Sequence, residues 1–435
     1  MAFCLAVVVT VAGSWPPAPE VHDEFSYLLG ADTFVHGRLT NRQHPLWEHF
    51  ETFHVLSHPS YATKFPPAQS AVLALGQRLT GQPITGVWLS FGLMGAALTW
   101  MLLAWFSPRW SAWGALFITL LFLRTPNASY FARSYWGGAV AVIGGALVLG
   151  GIRRATTTMR LSSAWLTGLG LAILATSRPY EGLLAAFPSA VLLGSWLARS
   201  RETPPRMRLT RVVLPVAVVL GGLAAAMGYY NWRVTGSAVR MPYAAYQETY
   251  GTTPLFIWQP RGAHQYRNEP MREFYASGSN PRTPKTFRQV VRLVWDRLER
   301  LARFFVPPSA LILLIVAATL RREAWFPVAV STLGLCVAGT FVTSWMQAHY
   351  LAPMVGALAI VFTGGARHLA ALRVGHRRTG RFVVHAVLCF AVLAAAATAF
   401  QIYRARGSRD ARWARQRSQI AARLEATGGK HVVFV

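Results

Sequence analysis

Residues 135–152, YWGGAVAVIGGALVLGGI, contain no charged side chain, and stretches of this kind decide the fold class. A helix that crosses a bilayer needs about 20 mostly apolar residues. Because the chain repeats this pattern, the sequence predicts an all-α polytopic membrane protein with about 11 transmembrane helices. The predicted spans are residues 1–14, 84–106, 110–126, 135–152, 162–177, 183–199, 210–230, 303–320, 324–344, 350–370 and 381–403.

The composition agrees with a membrane protein and argues against other classes. Of the 435 residues, 53% are apolar and only 14% are charged, and the net charge is +27. Soluble proteins have about 25% charged residues, and disordered chains have few apolar ones. A basic stripe for nucleic acid needs a soluble face, so we expect no nucleic-acid partner. The three cysteines lie in apolar runs and form neither a disulfide framework nor a Cys-x-x-Cys metal motif.

Arginine-rich short loops set the predicted orientation. With the amino terminus starting in the cytoplasm, these loops fall inside, as the positive-inside rule requires. Residues 1–403 then form the membrane domain, with large extracytoplasmic loops at 15–83 and 231–302. The basic tail, 404–435, is also predicted to be extracytoplasmic, although one missed helix would place it inside. We expect a multi-pass protein of the inner or plasma membrane, with its active site on the extracytoplasmic side.

Four segments outside the spans have recognisable patterns. A helix is predicted to start near Asp23, and segment 66–80 is too short to span, so it is predicted to be re-entrant or interfacial. In the tail, 408–426 predicts a polar helix, and 431–435 resembles the first strand of a truncated soluble domain. A basic amphipathic helix is predicted to lie on an anionic membrane surface. Its apolar face is Phe287, Val290, Val291, Val294, Trp295, Leu298 and Leu301, and its cations are Arg288, Arg292, Arg297 and Arg300.

An acidic pair, Asp23 and Glu24, follows the first predicted span and is the candidate catalytic group. A carboxylate near the membrane face can accept a proton from an incoming hydroxyl. The same pair, with His44, is a candidate site for a divalent cation. The structural alternative is that Asp23 caps the start of a helix and Glu24 lies near its positive end.

Three cations on the same predicted side are candidate ligands of a phosphate: Lys64, Arg133 and Arg178. Lys64 precedes the rigid Pro66-Pro67 turn, and Arg178 lies in a turn of only a few residues between two spans. Both cation types bind phosphate oxygens. The alternatives are a snorkelling lysine and an Arg178–Glu181 pair that merely clips the turn.

Further polar and aromatic residues at the span ends are candidates for substrate binding. His54 and His58 are four residues apart, so a metal site from them is an alternative, although the neighbouring prolines disturb a helix there. His349 and Tyr350 alternatively belong to an interfacial aromatic belt. The predicted substrate-binding residues are His58, Tyr61, Tyr180, Glu181, His349 and Tyr350.

The order of these motifs resembles the GT-C superfamily of membrane glycosyltransferases, particularly its protein mannosyltransferase-like and aminoarabinose transferase-like branches. The resemblance covers residues 1–403 and rests on an acidic pair after the first helix, a Lys-x-Pro-Pro stretch and polar turns at later helix ends. It implies a polyprenyl-phosphate-linked sugar donor and a lipid, glycan or protein acceptor. Carried over, Asp23 acts on the acceptor hydroxyl and Lys64 contacts the donor phosphate. The long loop 231–302 has no motif of the family.

Two other classes stay open at this stage. A multi-span transporter or lipid flippase predicts broken helices and charged groups near the bilayer midplane. Here the polar residues lie at the span ends instead, which favours an interfacial enzyme. If the protein is a scaffold, Asp23, Lys64 and Arg178 could be substituted without loss of function. No cofactor is certain from the sequence, and a divalent cation remains an alternative.

Overall fold

The computed structural model describes residues 1–13, 17–200, 203–276, 284, 286–405 and 409–429. Six of its helices are long and apolar enough to cross a membrane, or seven if one bent pair is a single span. The predicted all-α integral membrane fold is therefore confirmed. A helix lies at each of the predicted segments, but several are too short to count as spans on these criteria, and the predicted number of 11 is not confirmed.

The first half of the chain places most of its polar residues in one folded loop. The segment after α1 forms α2, a short antiparallel hairpin (β1 and β2) and α3 before the chain enters the helical core. The elements are α1 Ala2–Val11, α2 His22–Val35, β1 Val55–Leu56, β2 Ala62–Thr63, α3 Pro67–Thr80, α4 Ile84–Leu102, α5 Pro108–Leu121, α6 Ala128–Phe131, α7 Gly138–Thr158, α8 Leu161–Ser177 and α9 Pro179–Arg199.

The second half adds the other large loop and the last apolar helices. A π-helical turn, Leu209–Val213, joins α10 to α11, and 3-10 turns at Pro308–Ala310 and Ala348–Met354 precede α15 and α17. The elements are α10 Pro205–Arg208, α11 Leu214–Thr235, α12 Pro242–Tyr250, α13 Glu269–Ala276, α14 Phe287–Phe305, α15 Leu311–Ala318, α16 Phe326–Thr340, α17 Val355–Leu369, α18 Thr379–Arg404 and α19 Arg409–Thr427. The polar tail helix is thus confirmed as α19, whereas the predicted strand at 431–435 lies outside the described residues.

The predicted span 303–320 is wrong in its first part. Residues 303–305 belong to α14, and the chain then bends by 85° before the helix of Pro308–Ala318. The bend falls at Pro307-Pro308, where proline lacks an amide hydrogen and disfavours a helical residue before it. The span is therefore shorter than predicted, and the amphipathic helix α14 is longer.

Helix α14 is amphipathic as predicted, but the expected position of Arg297 is wrong. Its side chain is buried rather than placed beside the apolar face. The guanidinium donates to the carbonyl of Thr340, the last residue of α16, and to those of Thr343 (2.9 Å) and Ser344 (3.2 Å) just after it. A planar cation with five donors suits carbonyls that a helix end leaves unpaired. Arg297 therefore fastens α14 to the segment that leads into His349.

Helices α7 and α17 form the buried centre, while α9, α11 and α18 leave most of their apolar surface exposed, as lipid-facing helices do. The contact between α7 and the turn before α17 depends on Gly145. A Cβ atom there would lie 2.0 Å from the carbonyl oxygen of Pro353. Only glycine permits this approach, which fixes the depth of the turn that carries His349.

We expect Gly145→Val to lower the melting temperature of the purified protein, because overpacking against a rigid backbone costs about 1–3 kcal/mol. The matched control is Gly194→Val in α9, where an added Cβ meets nothing within 4 Å. Both variants are compared with the parent by thermal unfolding in the same detergent. Equal melting temperatures for the two variants would contradict the close approach at Gly145.

Candidate active site

The start of α2 separates the roles of the acidic pair. Glu24 is buried, and its Oε2 accepts hydrogen bonds from the amides of Glu20 (2.8 Å) and Val21 (3.2 Å). Its Oε1 accepts from the amide of Tyr135 at 3.1 Å. The expectation that Asp23 is the cap is wrong, since Val21 is the cap residue and Glu24 satisfies the free amides. These bonds favour a structural role for Glu24 over the catalytic role predicted for it.

Asp23 is paired with His54, which follows in the same loop. Its Oδ1 lies 3.0 Å from His54 Nε2. His54 has a φ of +63°, in the left-handed region that residues other than glycine rarely adopt. Its amide donates to the hydroxyl of Tyr246 (2.9 Å), and its carbonyl accepts from the hydroxyl of Ser26 (2.6 Å) and the amide of Lys64 (3.1 Å). Such a strained residue persists only where its surroundings hold it, and residues of this kind cluster at functional sites.

The two partners differ in charge. Burial and the nearby Lys64 ammonium lower the pKa of His54, although the Asp23 carboxylate opposes them. Neutral His54 therefore donates from Nε2 to Asp23, and its buried Nδ1 has no described partner. For Asp23, burial opposes ionisation, but His54, Lys64 and Arg178 together hold its pKa below the usual value. Asp23 is thus an oriented carboxylate anion at neutral pH.

Lys64 is buried, with 8% of its surface exposed. Its Nζ lies 4.5 Å from the ring centre of Tyr246 and 5.2 Å from those of Tyr243 and Phe65. Burial lowers the pKa of Lys64 to about 8, with the Asp23 charge opposing this fall. The ammonium makes no hydrogen bond or ion pair with any residue that the structure describes. It is held by aromatic faces, which leaves its N–H donors for a ligand.

Arg178 joins α8 to α9 and brings a second cation to Asp23. Its guanidinium lies 4.2 Å above the ring of Tyr350. It forms no ion pair within 4.0 Å of a carboxylate in the described part of the chain, so the predicted Arg178–Glu181 clip is not formed. Charge interactions nevertheless link Arg178 with Asp23 and Tyr27. A half-buried guanidinium without a bound carboxylate is a candidate site for an anionic ligand.

His349 lies next to this cation on the turn before α17. It is 2% exposed, and its ring stacks on Tyr130 at 4.3 Å. Trp136 and Tyr350 meet the same ring at 4.5 and 4.8 Å. The imidazole forms no hydrogen bond with a described residue, and its Nε2 is buried. The predicted residues His349 and Tyr350 therefore do lie beside Arg178. Glu181 also lies near Arg178 without touching it and lines a small cavity with Tyr350.

Other predicted residues lie apart from the Asp23 cluster. Arg133 lies beside Gly13, and the carboxylate whose charge acts on it is Glu20. Tyr180 donates its hydroxyl to the carbonyl of Gly339 at 3.0 Å, which ties α9 to α16. Their positions favour structural roles over the phosphate and substrate contacts predicted for them.

The hairpin also separates residues that the sequence grouped together. His58 is exposed and bonds Gln43 through Nδ1 at 2.9 Å, so it does not share a face with His54. Tyr61 pairs through its backbone with Asn41. Neither of the two residues is among the charged or aromatic neighbours of Asp23.

The residues predicted for a metal site do not gather. His44 is exposed, its Nδ1 accepts from the amide of Leu46 at 3.1 Å, and its ring meets Phe50. Within the described ranges, no group of three or more His, Cys, Asp or Glu side chains is placed to hold a metal ion. Because the Glu24 oxygens are held by amides, Asp23, Glu24 and His44 do not fit a divalent cation together, and we assign no step to one.

Sequence reasoning missed two tyrosines of the loop 231–302. Tyr243 and Tyr246 lie on α12 and face Lys64, and Tyr246 also bonds the hydroxyl of Tyr275 at 2.7 Å. Their spacing with Tyr250 is i, i+3 and i+7, which places three aromatic rings on one side of a helix. This repeat was the available signal, but nothing in the sequence indicates that the face meets Lys64.

The same fold occurs in solved membrane-protein structures. ArnT from Cupriavidus metallidurans in the apo state superposes with a TM-score of 0.52 at 15% identity, covering 92% of this chain and 75% of that one. The same protein bound to undecaprenyl phosphate superposes with a TM-score of 0.54 at 14% identity, and the match covers 92% of this chain and 74% of that one. The Archaeoglobus fulgidus oligosaccharyltransferase, in complex with Zn and sulfate, superposes with a TM-score of 0.52 at 13% identity. That match covers 94% of this chain and 52% of the other. No family model and no curated protein sequence matches the chain. The chain therefore shares its overall fold with these membrane proteins.

The chain has only three lysines, which makes the charge state of Lys64 measurable. In Lys285→Arg/Lys430→Arg protein labelled with ¹³C-lysine, we expect Lys64 to titrate near pH 8, because burial disfavours its ammonium. Adding Asp23→Asn removes the opposing carboxylate, so the midpoint should fall further. A midpoint near the ordinary 10.5 would show that the ammonium is solvated and the site wrongly described.

Proposed function

We propose that this chain is an integral-membrane glycosyltransferase that moves a sugar from a polyprenyl-phosphate-linked donor to a hydroxyl acceptor. The observation that carries the proposal is that two cations, buried Lys64 and half-buried Arg178, both act on the oriented carboxylate of Asp23 without an ion pair of their own. The likeness in fold to ArnT bound to undecaprenyl phosphate supports the same kind of donor.

Lys64 and Arg178 are the groups that hold the donor phosphate in this proposal. Neither cation forms an ion pair with a carboxylate of the described residues, so each keeps positive charge in a poorly solvated place where an anion would stabilise it. When the glycosyl bond breaks, negative charge grows on the phosphate, and cations already in position stabilise that change without reorganisation. The aromatic faces of Tyr243 and Tyr246 keep the Lys64 ammonium in place for this task.

Asp23 is the group that meets the acceptor. The acceptor oxygen attacks the anomeric carbon, and its proton passes to the Asp23 carboxylate. The bond from that carbon to the phosphate oxygen breaks, and its electron pair stays on the phosphate. His54 holds the carboxylate in one orientation through its Nε2 hydrogen. Because one displacement occurs, we expect the configuration at the anomeric carbon to invert.

The proposal includes the place of the reaction and the range of its acceptors. The polar cluster adjoins helices that are long enough to cross a membrane, so the isoprenoid chain of the donor would remain in lipid. We propose that the reaction occurs on the extracytoplasmic face of the inner or plasma membrane. The acceptor is a lipid, glycan or protein with a free hydroxyl group.

Transfer of radiolabelled sugar from polyprenyl-phosphate donors, in membranes that express the full chain, tests the function. We expect Asp23→Asn, Lys64→Ala and Arg178→Ala to reduce transfer at least 100-fold, because each removes a group placed at the reacting atoms. Arg133→Ala is the matched control, since Arg133 lies with Gly13 and Glu20, and it should retain transfer within a fewfold.

The outcomes separate the assignments from the function itself. Transfer that survives Asp23→Asn would remove the acceptor role of Asp23. If transfer is lost in Arg133→Ala but survives in Arg178→Ala, the phosphate-binding role belongs to Arg133 and not to Arg178. If the parent binds polyprenyl phosphate but transfers no sugar from any donor, the protein is not a transferase. The alternative function, a transporter or lipid flippase, would then be favoured.

Donor binding should also depend on pH. A sugar phosphodiester keeps one negative charge, whereas the Lys64 ammonium is lost as the pH rises through its pKa of about 8. A bound anion raises this pKa, so affinity falls progressively above pH 8, by about tenfold, or roughly 1.4 kcal/mol. Lys64→Arg should keep its affinity up to at least pH 10. Equal pH profiles for the parent and Lys64→Arg would exclude Lys64 from the phosphate site.

A further inference from the structure

A cavity of about 520 Å³ lies outside the Asp23 cluster, between α14 and the turn before α17. Its walls combine two aromatic rings with charged and amide side chains, a mixture that is typical of sites for polar ligands with an apolar face. The residues used here are Tyr130, Asp296, Arg300, Phe304, Gln347 and His349.

We propose that this cavity binds a sugar or polyol group that enters from the aqueous phase. The further statement that this group carries the acceptor hydroxyl rests on the proposed transferase function. The cavity is thus a site separate from the one for the lipid-linked donor, with its own entrance.

His349 is the first observation that indicates a ligand here. It lines the cavity, yet only 2% of its surface is exposed, and its Nε2 has no described hydrogen-bond partner. A buried polar group without a partner costs about 1–3 kcal/mol. A hydroxyl group in the cavity would satisfy the imidazole once the ring turns its nitrogen toward the cavity, whereas an apolar occupant would leave the cost in place.

The rim residues on α14 indicate the chemical class. Glu299 and Arg303 pair with each other, whereas Asp296 and Arg300 line the cavity without an ion pair to any described residue. A free carboxylate and a free guanidinium on adjacent turns accept from and donate to vicinal hydroxyl groups. Tyr130 and Phe304 supply aromatic faces for the C–H side of a sugar ring. A charged ligand of either sign would meet a like charge.

The arrangement of residues around the axis of α14 indicates from which side the ligand enters. Phe287, Val291 and Trp295 leave their apolar side chains exposed, whereas Asp296 and Arg300 line the cavity. At about 100° per residue, the cavity-lining positions lie on the opposite side of the helix from this apolar face. If the apolar face rests on the bilayer, as its basic amphipathic sequence predicts, the cavity opens away from lipid and toward water.

The cavity also adjoins the proposed transfer site. His349 contacts Tyr350 at 4.8 Å, and Tyr350 carries the guanidinium of Arg178 at 4.2 Å. The wall between the two sites is therefore one layer of aromatic rings. A ligand held at His349 lies next to the cation proposed to hold the donor phosphate.

Saturation-transfer NMR tests the site directly, with the full chain in lipid nanodiscs and methyl gluco-, manno- and galactopyranosides as probes. Nanodiscs avoid the sugar-based detergents that would compete. We expect signal from at least one glycoside in the parent, its loss in Gln347→Trp, which fills the cavity, and at least a fivefold weaker signal in Arg300→Ala. The matched control is Arg292→Ala, an exposed arginine two turns earlier on α14, which should leave the signal unchanged.

Lys64→Ala separates this proposal from the proposed function, because it disables the phosphate site and should leave the sugar signal intact. No signal from any glycoside in the parent, or signal that persists in both Gln347→Trp and Arg300→Ala, overturns the sugar site. Arg300 is exposed, so its substitution keeps the test valid if Gln347→Trp does not fold.

The direction of entry has its own test. After Cys4, Cys336 and Cys389 are replaced by alanine, Gln347→Cys in nanodiscs should react with a charged thiol reagent at least tenfold faster than Val291→Cys, because lipid covers the latter. The reverse order of rates would show that the cavity opens into lipid and would overturn entry from water.

Discussion

The carboxylate of Asp23 is the anion that both cations, Lys64 and Arg178, act on. Burial of a charge is expensive unless it is paired and hydrogen-bonded. Asp23 receives a hydrogen bond from His54 and the field of Lys64 and Arg178, which explains why it stays ionised. In direct contact, each cation has an aromatic face and no ion pair with a described carboxylate. This is the basis for proposing that the site takes an anion.

This arrangement depends on three separate parts of the chain. Asp23 comes from α2, His54 and Lys64 from the hairpin region, and Arg178 from the junction of α8 and α9. Each position is fixed by local chemistry. Glu24 caps α2, and the positive φ of His54 is held by three hydrogen bonds. The helical core fixes the relative positions of these parts, and the close approach of α7 to the turn before α17 at Gly145 is one of its contacts.

Much of this fold follows from the sequence. In lipid the backbone must satisfy its own hydrogen bonds, so a long apolar stretch predicts a membrane-crossing helix. The acidic pair and the lysine before the prolines could also be predicted, since they lie in polar stretches between spans. The hydrophobic periodicity of the sequence does not predict which turns, far apart in the chain, contact each other in the fold. The Arg178–Glu181 pair was wrong because residues close in sequence are not always aimed at each other. Arg133 and Arg178 look alike as sequence motifs, and only their surroundings in the fold separate them: Arg133 lies beside Gly13, and Arg178 lies on the ring of Tyr350. The tyrosines of α12 were missed for the same reason.

The two faces of α14 bear on how one site would serve two very different ligands. A polyprenyl phosphate keeps its chain in lipid, whereas a sugar hydroxyl is stable in water, so each needs its own route to the same carbon. In a single displacement the attacking oxygen and the leaving phosphate lie on opposite sides of that carbon. A layer of rings, His349 and Tyr350, stands between the cavity and Arg178, with charge interactions reaching Asp23. An amphipathic helix that rests on the membrane with one face and lines a cavity with the other is a simple way to keep the two routes apart. Arg297 fastens that helix to the segment that leads into His349, so the proposed separation of the routes and the position of the ring layer would have the same structural cause.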